Sequence, residues 1–407
     1  MILEVHIIQS IPTNRINSDR DGKPKSIVFG GVSRTRISSQ AQKRAARMYT
    51  HEHELLPQNE FAERTRKFTE LVMADLVKHD IAESEAKNLA IRAMSALGMS
   101  HQKKDVNKSN VNEKMLNEYM ILFSQHELDT FVEAILTHKN TIGQLEFPEP
   151  EKIGSETNGE TQRPATKKPK NEQKKDAAKI FPKEVQIALK APFIFKRAIE
   201  LGLYGRELAD FPDGVVDGQV QVAHAMSVHE TLREDDFFVS IDDHATEIEA
   251  SAGMLGEVGI TAPTLYRTAA VNISQLAREI GDIEAAKLGA RAFLEAFTLA
   301  LPKGGQNSYL AYTTPQFVLF RQVLKGTALT LAPAFEMPVQ PQYKRSLADV
   351  AIERLDQYIN RTEQVYPQIK RAKNYCVNLG NYEFQSAKQS KTLQDAINQL
   401  LKDFDTK

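Results

Sequence analysis

Residues 2–9 read ILEVHIIQ and residues 32–49 read VSRTRISSQAQKRAARMY, and these two stretches decide the fold. The first is rich in branched aliphatic side chains and predicts an opening strand. In the second, Ser39 and Gln42 match a capping-box pair, which predicts a helix from about Gln40 to Tyr49. We therefore expect the chain to begin with a strand that leads through a charged loop into a short helix.

The rest of the sequence extends this start into an α+β pattern. Residues 59–139 have a helical pattern throughout, with Ser124 and Glu127 as a second capping pair. Later segments predict strands at 198–206, 219–228, 237–241, 265–273 and 309–320, and helices at 283–300, 347–362 and 393–404. The order strand, helix, strand, strand, helix, strand is that of a ferredoxin-like (RRM-like) sheet, here with a large helical insertion after the first helix.

Length and composition exclude several classes of protein. The 407 residues allow two domains, or one core with large insertions. No apolar run approaches the roughly eighteen residues of a membrane helix, and the N-terminus lacks the pattern of a secretion signal. Cys376 is the only cysteine, which excludes internal disulfides and thiolate-rich zinc sites and predicts a cytoplasmic protein. Residues 148–179 are polar and rich in lysine, and predict a flexible linker.

Positive charge is concentrated near the N-terminus. The whole chain has a formal net charge of −1, whereas residues 10–47 contain nine basic and two acidic residues, a net charge of +7. The nine basic residues are Arg15, Arg20, Lys23, Lys25, Arg34, Arg36, Lys43, Arg44 and Arg47. Clustered charge of this kind indicates a nucleic-acid-binding surface, and the alternative is a solvated face that has no partner.

The sequence contains no motif for enzymatic chemistry, and it predicts no catalytic residue, metal or cofactor. The glycine pairs at 30–31 and 304–305 are not phosphate-binding loops, because a pair of glycines usually marks a turn. His51 and His53 lack the spacing of a helical zinc site, and we interpret them as a solvated helix end. His224 and His229 are five residues apart, which suits neither a shared helix face nor one side of a strand, and we interpret both as structural.

Three acidic pairs leave a second hypothesis open. They are Asp19 with Asp21, Asp235-Asp236 and Asp242-Asp243. Carboxylates that converge on one point can hold magnesium for phosphodiester hydrolysis, although no base or third ligand follows them at a fixed spacing. The alternatives to an RNA-binding protein without enzymatic activity are therefore a metal-dependent RNA-cutting protein and a protein–protein adaptor.

The motifs of the N-terminal region resemble the signature of a known family. They are Asn14-Arg15, Asp21-Gly22-Lys23-Pro24-Lys25, Phe29-Gly30-Gly31, Arg36-Ile37-Ser38-Ser39-Gln40 and Lys43-Arg44-Ala45. Three later segments match as well: Leu203-Tyr204-Gly205-Arg206, residues 221–243, and Tyr266-Arg267. Together, over roughly residues 2–320, they resemble the CasC family, the backbone subunit of the Cascade complex in type I-E CRISPR systems.

The resemblance implies a shape like a right hand. It divides the chain into an RRM-like palm (1–58, which carries the RNA-binding loop and helix, 180–213 and 263–407), helical fingers (59–147), a flexible polar linker (148–179) and a β-hairpin thumb (214–262). It implies a scaffold, not an enzyme, whose copies stack head to tail along one guide RNA (crRNA) and kink it at regular intervals. The implied partners are target DNA in an RNA–DNA hybrid and the other Cascade subunits, with no membrane.

The resemblance and the basic cluster together predict the residues that contact RNA. They are Asn14, Arg15, Lys23, Lys25, Arg34, Arg36, Ser38, Gln40, Lys43, Arg44, Arg47, Arg206, Lys303 and Gln306. Phe237, Phe238 and Val239 match the apolar wedge of the thumb, which presses against an unstacked base. Two positions depart from the family pattern: Glu207 replaces a methionine, and Lys303 lies earlier than the lysine that usually comes just before Gln-Asn.

Overall fold

The computed structural model describes residues 1–99, 116–117, 119–145, 180–195, 197–208, 211–240, 254–402 and 404. The predicted linker and the Asp242-Asp243 pair lie outside these ranges. The chain forms two compact units, which we call the sheet unit (Met1–Leu56 with Gln219–Lys407) and the helical unit (Pro57–Gly218). Among the described residues, no helix is both long and apolar enough to span a bilayer.

The strands and helices have the following bounds. The strands are β1 (Ile2–Ser10), β2 (Ser26–Phe29), β3 (Val32–Ile37), β4 (Ala62–Thr65), β5 (Ile121–Ser124), β6 (Val220–Val222), β7 (Ala225–Ser227), β8 (Glu234–Ser240), β9 (Met254–Ile260), β10 (Thr264–Asn272), β11 (Phe317–Val323), β12 (Lys373–Asn378) and β13 (Lys388–Gln389). The α-helices are α1 (Ser39–Glu52), α2 (Phe68–Lys78), α3 (Glu83–Ala96), α4 (Gln125–Thr137), α5 (Lys139–Gln144), α6 (Lys183–Lys190), α7 (Pro192–Phe195), α8 (Ile199–Tyr204), α9 (Ile273–Ile280), α10 (Ile283–Leu299), α11 (Gln306–Tyr309), α12 (Leu347–Val365) and α13 (Leu393–Leu401).

The first strand lies in the middle of the mixed sheet that organises the sheet unit. The strand order is β13-β12-β11-β1-β10-β7-β3-β2, and β6 also pairs with β10. β1 is antiparallel to both neighbours, with Ile2 opposite Asn272 of β10 and opposite Val323 of β11. Residues 3–9 are all buried. A strand buried on both faces is selected for apolar residues at nearly every position, which explains the sequence ILEVHIIQ.

A second apolar layer forms where α12 packs near β1 and β11. Ile352 and Leu355 of α12 share one buried cluster with Ile8, Phe317 and Leu319. The spacing of the buried residues of α12 follows the helical repeat, and its opposite face is polar. Ser346 caps its first turn by accepting a hydrogen bond from the backbone of Asp349. Burial of this one face therefore fixes α12 on the sheet.

A buried arginine holds the C-terminal end of α10. The guanidinium of Arg267 on β10 donates to the backbone oxygens of Phe297 (2.5 Å) and Ala300 (3.0 Å) and to the side-chain oxygen of Gln9 (2.6 Å). Burial lowers the pKa of Arg267, and the carbonyls at the negative end of the helix dipole favour its charged form. The Tyr266-Arg267 motif therefore has a structural role in joining β10 to α10.

The helical unit has its own aromatic core. The rings of Phe68 and Phe123 lie 4.7 Å apart, and those of Phe131 and Phe193 lie 5.4 Å apart, both pairs edge to face. The helices α2, α3, α4 and α6 contribute the remaining apolar side chains of this core. β4 and β5 form a short antiparallel hairpin within the unit.

The α+β class is confirmed, as are several predicted elements. The opening strand, the strand at 265–273 and the helices that begin at 283, 347 and 393 lie where the sequence patterns indicated. The second capping box is also present: the Ser124 hydroxyl accepts from the backbone N–H of Glu127, and the Glu127 carboxylate accepts from that of Ser124. These are segments whose periodicity or capping chemistry is contained within a few neighbouring residues.

Four predicted elements were wrong or incomplete. The predicted strand at 198–206 is the helix α8, because a short apolar run suits either structure, and Gly205 at φ +76° ends the helix. Residues 59–139 are not entirely helical, since they contain β4 and β5. The N-cap of α1 is Ser38 instead of Ser39. The strand expected from 309 begins at Phe317, because residues 306–309 form α11.

The grouping of the chain also differs from the predicted domain boundaries. Residues 180–213 were expected in the palm, yet those described lie in the helical unit. Phe181, Phe193 and Phe211 are buried in the aromatic core of that unit, which explains the difference. In the predicted thumb, β6 and β7 pair with the large sheet, and β8 and β9 pair only with each other.

Candidate nucleic-acid interface

Two of the predicted RNA contacts, Arg34 and Arg206, are structural. Arg34 on β3 is 0% exposed. Its guanidinium donates to the backbone oxygens of Phe29 (3.2 Å), Ser227 (3.0 Å) and Phe335 (2.9 Å). A guanidinium that is buried and already donates to several carbonyls offers no donor to a phosphate at the surface. The structure therefore corrects the prediction for Arg34, which joins three separate segments of the sheet unit.

Arg206 is buried in the helical unit in the same way. It is 3% exposed, and its Nη1 lies 2.8 Å from the Glu127 carboxylate. Its other donors reach the backbone oxygens of Gly214 (2.9 Å) and Phe193 (3.0 Å). Burial raises the pKa of Glu127, and the nearby charge of Arg206 opposes that shift. The Gly-Arg motif thus supplies an internal ion pair, and the adjacent Glu207 is exposed.

Three polar residues of the predicted set serve as local supports. Asn14 is 2% exposed, and its amide donates to the backbone oxygens of Pro12 (2.7 Å) and Thr261 (3.0 Å). The hydroxyl of Ser38 accepts from the backbone of Ala41 as the N-cap of α1. The side-chain oxygen of Gln306 accepts from the backbone of Ala311 (2.9 Å). These side chains shape the surface on which the cations lie.

The charged loop before β2 is organised by one carboxylate. Oδ1 of Asp19 accepts hydrogen bonds from the backbone N–H groups of Asp21 and Lys23, both at 2.9 Å. Gly22 takes φ +80° in this turn, a conformation that glycine adopts at little cost. Lys23 is exposed, and Lys25 at the start of β2 is half-buried. Asp19 is thus a turn former, and no cluster of three or more potential metal ligands exists among the described residues.

The Phe29-Gly30-Gly31 motif forms the turn between β2 and β3. Gly30 and Gly31 have φ of +60° and +81°, which suits the tight turns of β-hairpins. A Cβ atom on Gly30 would lie 1.7 Å from the backbone oxygen of Glu336. The same oxygen accepts from Arg34 at 3.2 Å. Glycine is required here because the turn packs directly on the backbone of another segment.

Arg36 lies in a small cationic group on the surface of the sheet unit. Its Nη1 lies 2.8 Å from Nδ1 of His224, a residue of the connection between β6 and β7. Burial and the charges of Arg36 and Lys25 lower the pKa of His224. Arg36 and Lys25 are half-buried and His224 is exposed. This group is open to solvent and can accept an anion.

The helix α1 carries a second set of predicted contacts. Gln40 and Arg44 are exposed, whereas Lys43 and Arg47 are half-buried. The first turn of α1 contains no acidic residue, so nothing offsets the positive end of the helix dipole. Burial lowers the pKa of Lys43, and a nearby anion would favour its charged form. The exposed edge of α1 therefore provides sequence-independent electrostatic attraction for phosphates.

The glycine loop after α10 brings Lys303 near the N-terminal region. A Cβ atom on Gly304 would lie 2.7 Å from the backbone oxygen of Ile16, and one on Gly305 would lie 3.0 Å from Cγ of Arg15. Lys303 forms an ion pair with Glu52 at the end of α1, and this hydrogen bond raises the pKa of Lys303. Tertiary packing thus joins Arg15, Lys303 and α1 although some 250 residues separate them.

The predicted wedge residues lie on an isolated hairpin. β8 and β9 pair over seven residues, from Glu234 opposite Ile260 to Ser240 opposite Met254. Phe237, Phe238 and Val239 are 64%, 39% and 44% exposed. The Phe238 ring lies over Gly256, where a Cβ atom would come within 2.3 Å of it. Such apolar exposure on a ribbon held only by its own pairing indicates a contact surface.

The acidic residues at the base of this hairpin have other partners. Asp235 forms a two-point pair with Arg233, with Nε and Nη2 at 2.7 and 2.9 Å from its two carboxylate oxygens. This hydrogen-bonded pairing lowers the pKa of Asp235. Like Asp19, Asp235 is therefore engaged within the chain.

The structure thus gathers the accessible cations into two groups: Lys25, Arg36 and His224 form one, and Arg15, Lys303 and the edge of α1 form the other. Sequence reasoning missed His224, which it had interpreted as structural, because its partner Arg36 is 188 residues away. The interpretation of His229 agrees with the structure, since its ring bonds the backbone of Glu230 (2.7 Å) and Thr264 (3.0 Å).

The nine-stranded sheet, the inserted helical unit and the surface cations define the class: an α+β protein with a large helical insertion and a positively charged surface on its sheet unit. The chain belongs to the family described as CT1975-like protein, whose model matches residues 3–403. The resemblance to the CasC family that the N-terminal motifs indicated is thereby confirmed. A comparison with curated proteins gave no match.

Solved structures agree over the full length of the chain. One is a chain of a structure described as "CRISPR RNA-guided surveillance complex, pre-nicking", with 25% sequence identity and a TM-score of 0.78, covering 99% of this chain and 100% of the other. Another is described as "CRISPR RNA-guided surveillance complex", with 21% identity and a TM-score of 0.69, and it also covers 99% and 100% of the two chains. The second likeness concerns the fold alone.

Proposed function

We propose that this chain is the backbone subunit that binds guide RNA in a CRISPR surveillance complex of type I-E. One observation carries the proposal: the chain matches a subunit of an RNA-guided surveillance complex over its whole length, at 25% identity and a TM-score of 0.78. Membership of the CT1975-like protein family supports the same function. The single cysteine supports a cytoplasmic location.

The accessible cations supply the chemistry of RNA binding. Lysine and arginine contacts to phosphates carry no sequence information, which suits a protein that must coat any guide. Arg36 and Lys25 lie beside His224, and Arg15 lies near the glycine loop. Arg44 and Gln40 are exposed along α1. Asn14, Ser38 and Gln306 support these groups, while Arg34 and Arg206 stabilise the fold and are omitted from the proposed contacts.

We infer that the sheet unit is an RRM-like palm and that β8 and β9 form the thumb. β1 lies between β10 and β11 and is antiparallel to both, as the ferredoxin-like order requires of its first strand. Phe237, Phe238 and Val239 then press against an unstacked base and kink the guide. The exposed apolar surface of the three residues supports this role.

In this proposal the chain is a scaffold without catalytic activity of its own. Copies stack head to tail along the guide, present it in segments for pairing with target DNA, and contact the other subunits of the complex. The proposed metal-dependent RNA cutting is disfavoured by the engagement of its candidate carboxylates. Asp19 caps a turn, and Asp235 is paired with Arg233.

Expression with the partner subunits and a CRISPR transcript tests the proposal. The purified complex is digested with ribonuclease, and the protected RNA is sized. We expect a protected guide with hypersensitive positions at an even spacing, which the thumbs would produce. Protein that purifies free of RNA, or RNA cut in a magnesium-dependent manner that is lost in D19A, would contradict it.

A further inference from the structure

We propose that Leu310 is an additional apolar contact for a base of the bound RNA, placed beside the cationic group of Arg15 and Lys303. The inference rests on the proposed function and adds a residue that none of the sequence motifs includes. Leu310 directly follows α11, in the loop that contains Lys303 and Gln306.

Two features of Leu310 are unfavourable in the isolated chain. Its backbone has φ +43° and ψ +53°, the left-handed conformation that residues with a Cβ atom rarely adopt. Its side chain is 82% exposed, so a large apolar surface lies in water. Backbone strain of this kind persists where a function requires it and the surroundings enforce it.

The surroundings of Leu310 enforce its conformation. Its N–H donates to the backbone oxygen of Gln306 at 2.9 Å, and the next N–H, of Ala311, donates to the Gln306 side-chain oxygen at 2.9 Å. Ala311 is 0% exposed and anchors the chain immediately after the strained residue. The apolar side chain is therefore held in a fixed outward position before any partner binds.

The chemistry around Leu310 points to a nucleobase. Lys303 is exposed in the same loop, and Arg15 packs against Gly305, one residue before α11. Tyr312, two residues after Leu310, is 45% exposed and adds a ring to the same loop. Cations that attract phosphates, next to apolar and aromatic side chains, are the combination that binds single-stranded nucleic acid. This combination favours RNA over a second protein chain as the partner.

The test separates strain from RNA contact in the full-length chain. In L310N the asparagine tolerates the left-handed conformation, so the midpoint of thermal unfolding should rise while affinity for a uridine-rich single-stranded RNA falls by about tenfold. L310M keeps an apolar side chain and should bind within roughly twofold of the unchanged protein. Lys344 is also exposed and has φ +58°, so K344N is the matched control that should gain stability without losing affinity.

A second readout reports the base itself. RNA that contains 2-aminopurine should show a fluorescence change on binding that is smaller with L310N than with L310M. If L310N binds RNA as tightly as the unchanged protein, the inference is wrong while the proposed function stands. If L310N alters only self-association, measured by sedimentation, Leu310 contacts another copy and the inference is overturned. If the unchanged chain binds no RNA, the proposed function fails together with it.

Discussion

Nη1 of Arg36 and Nδ1 of His224 lie 2.8 Å apart, although 188 residues separate them in the sequence. A guanidinium has donors and no acceptor, so Arg36 donates and Nδ1 of His224 accepts. The neutral ring therefore carries its proton on Nε2. Burial, Arg36 and Lys25 all disfavour a second proton, which is why the pKa of His224 is lowered.

This arrangement predicts that RNA binding depends on pH. A phosphate near Arg36 and Lys25 would offset their charges and raise the pKa of His224, so the complex would hold more protons than the free protein. Affinity should therefore rise as the pH falls through the range in which His224 titrates, by at most about tenfold per pH unit. Dissociation constants measured from about pH 5 to pH 8 at constant ionic strength check this. H224N keeps an acceptor for Arg36 and cannot titrate, so an unchanged pH profile in H224N would remove His224 from the interface.

The edge of α1 predicts a uniform, salt-dependent contribution to RNA binding. Replacing Lys43, Arg44 and Arg47 by glutamine should weaken binding to all RNA sequences alike. It should also flatten the plot of log affinity against log salt by about 2, at roughly 0.7 per lost phosphate contact on a single strand. The matched control replaces the exposed Lys325, Lys388 and Lys391 by glutamine, which changes the net charge equally. An equal effect of both triple variants would show that the contribution is only overall charge.

Arg206 provides a test that separates stability from binding. R206A leaves the buried Glu127 carboxylate without its ion-pair partner, which should lower the free energy of unfolding by about 3–5 kcal/mol. Denaturant unfolding of the full chain measures this change. RNA affinity per folded molecule should stay near that of the unchanged protein, with R44A as the reverse control. Loss of RNA affinity in R206A without loss of stability would return Arg206 to the RNA contacts.

The single thiol gives a pH-dependent measure of stability. Cys376 on β12 is buried, and burial raises its pKa from 9.0 to about 11. Between these values the unfolded chain loses the thiol proton while the folded chain keeps it, so this contribution to stability is complete below pH 9 and falls as the pH rises toward 11. Denaturant unfolding of C376A, compared with the unchanged protein over this range, should lack that component.

Reaction of Cys376 with a thiol reagent provides the companion measurement. Because the thiol is buried and protonated in the folded sheet unit, labelling at neutral pH should be slow and should accelerate with added denaturant. Rapid labelling without denaturant would show that β12 opens independently of the rest of the sheet.

Elements with a local signal were predictable from the sequence. The run at 2–9 predicted β1, and Ser124 with Glu127 predicted the start of α4, because each pattern lies within a few residues. The α8 segment was misjudged because a short apolar run carries no clear period. The N-cap of α1 was displaced by one residue because Ser38 and Ser39 are adjacent and equally suited to cap; the hydrogen bond to Ala41 decides between them.

The sequence by itself determined the α+β class, the glycine turn at 30–31, and the concentration of positive charge between residues 10 and 47. It did not determine which of those cations meet solvent. Arg34 and Arg36 lie two residues apart on one strand, yet Arg34 is bonded to carbonyls of Ser227 and Phe335 while Arg36 reaches the surface beside His224. Only the tertiary structure decided this, because the groups that bury or expose a guanidinium come from segments roughly 190 to 300 residues away, and no local pattern of the sequence encodes their approach.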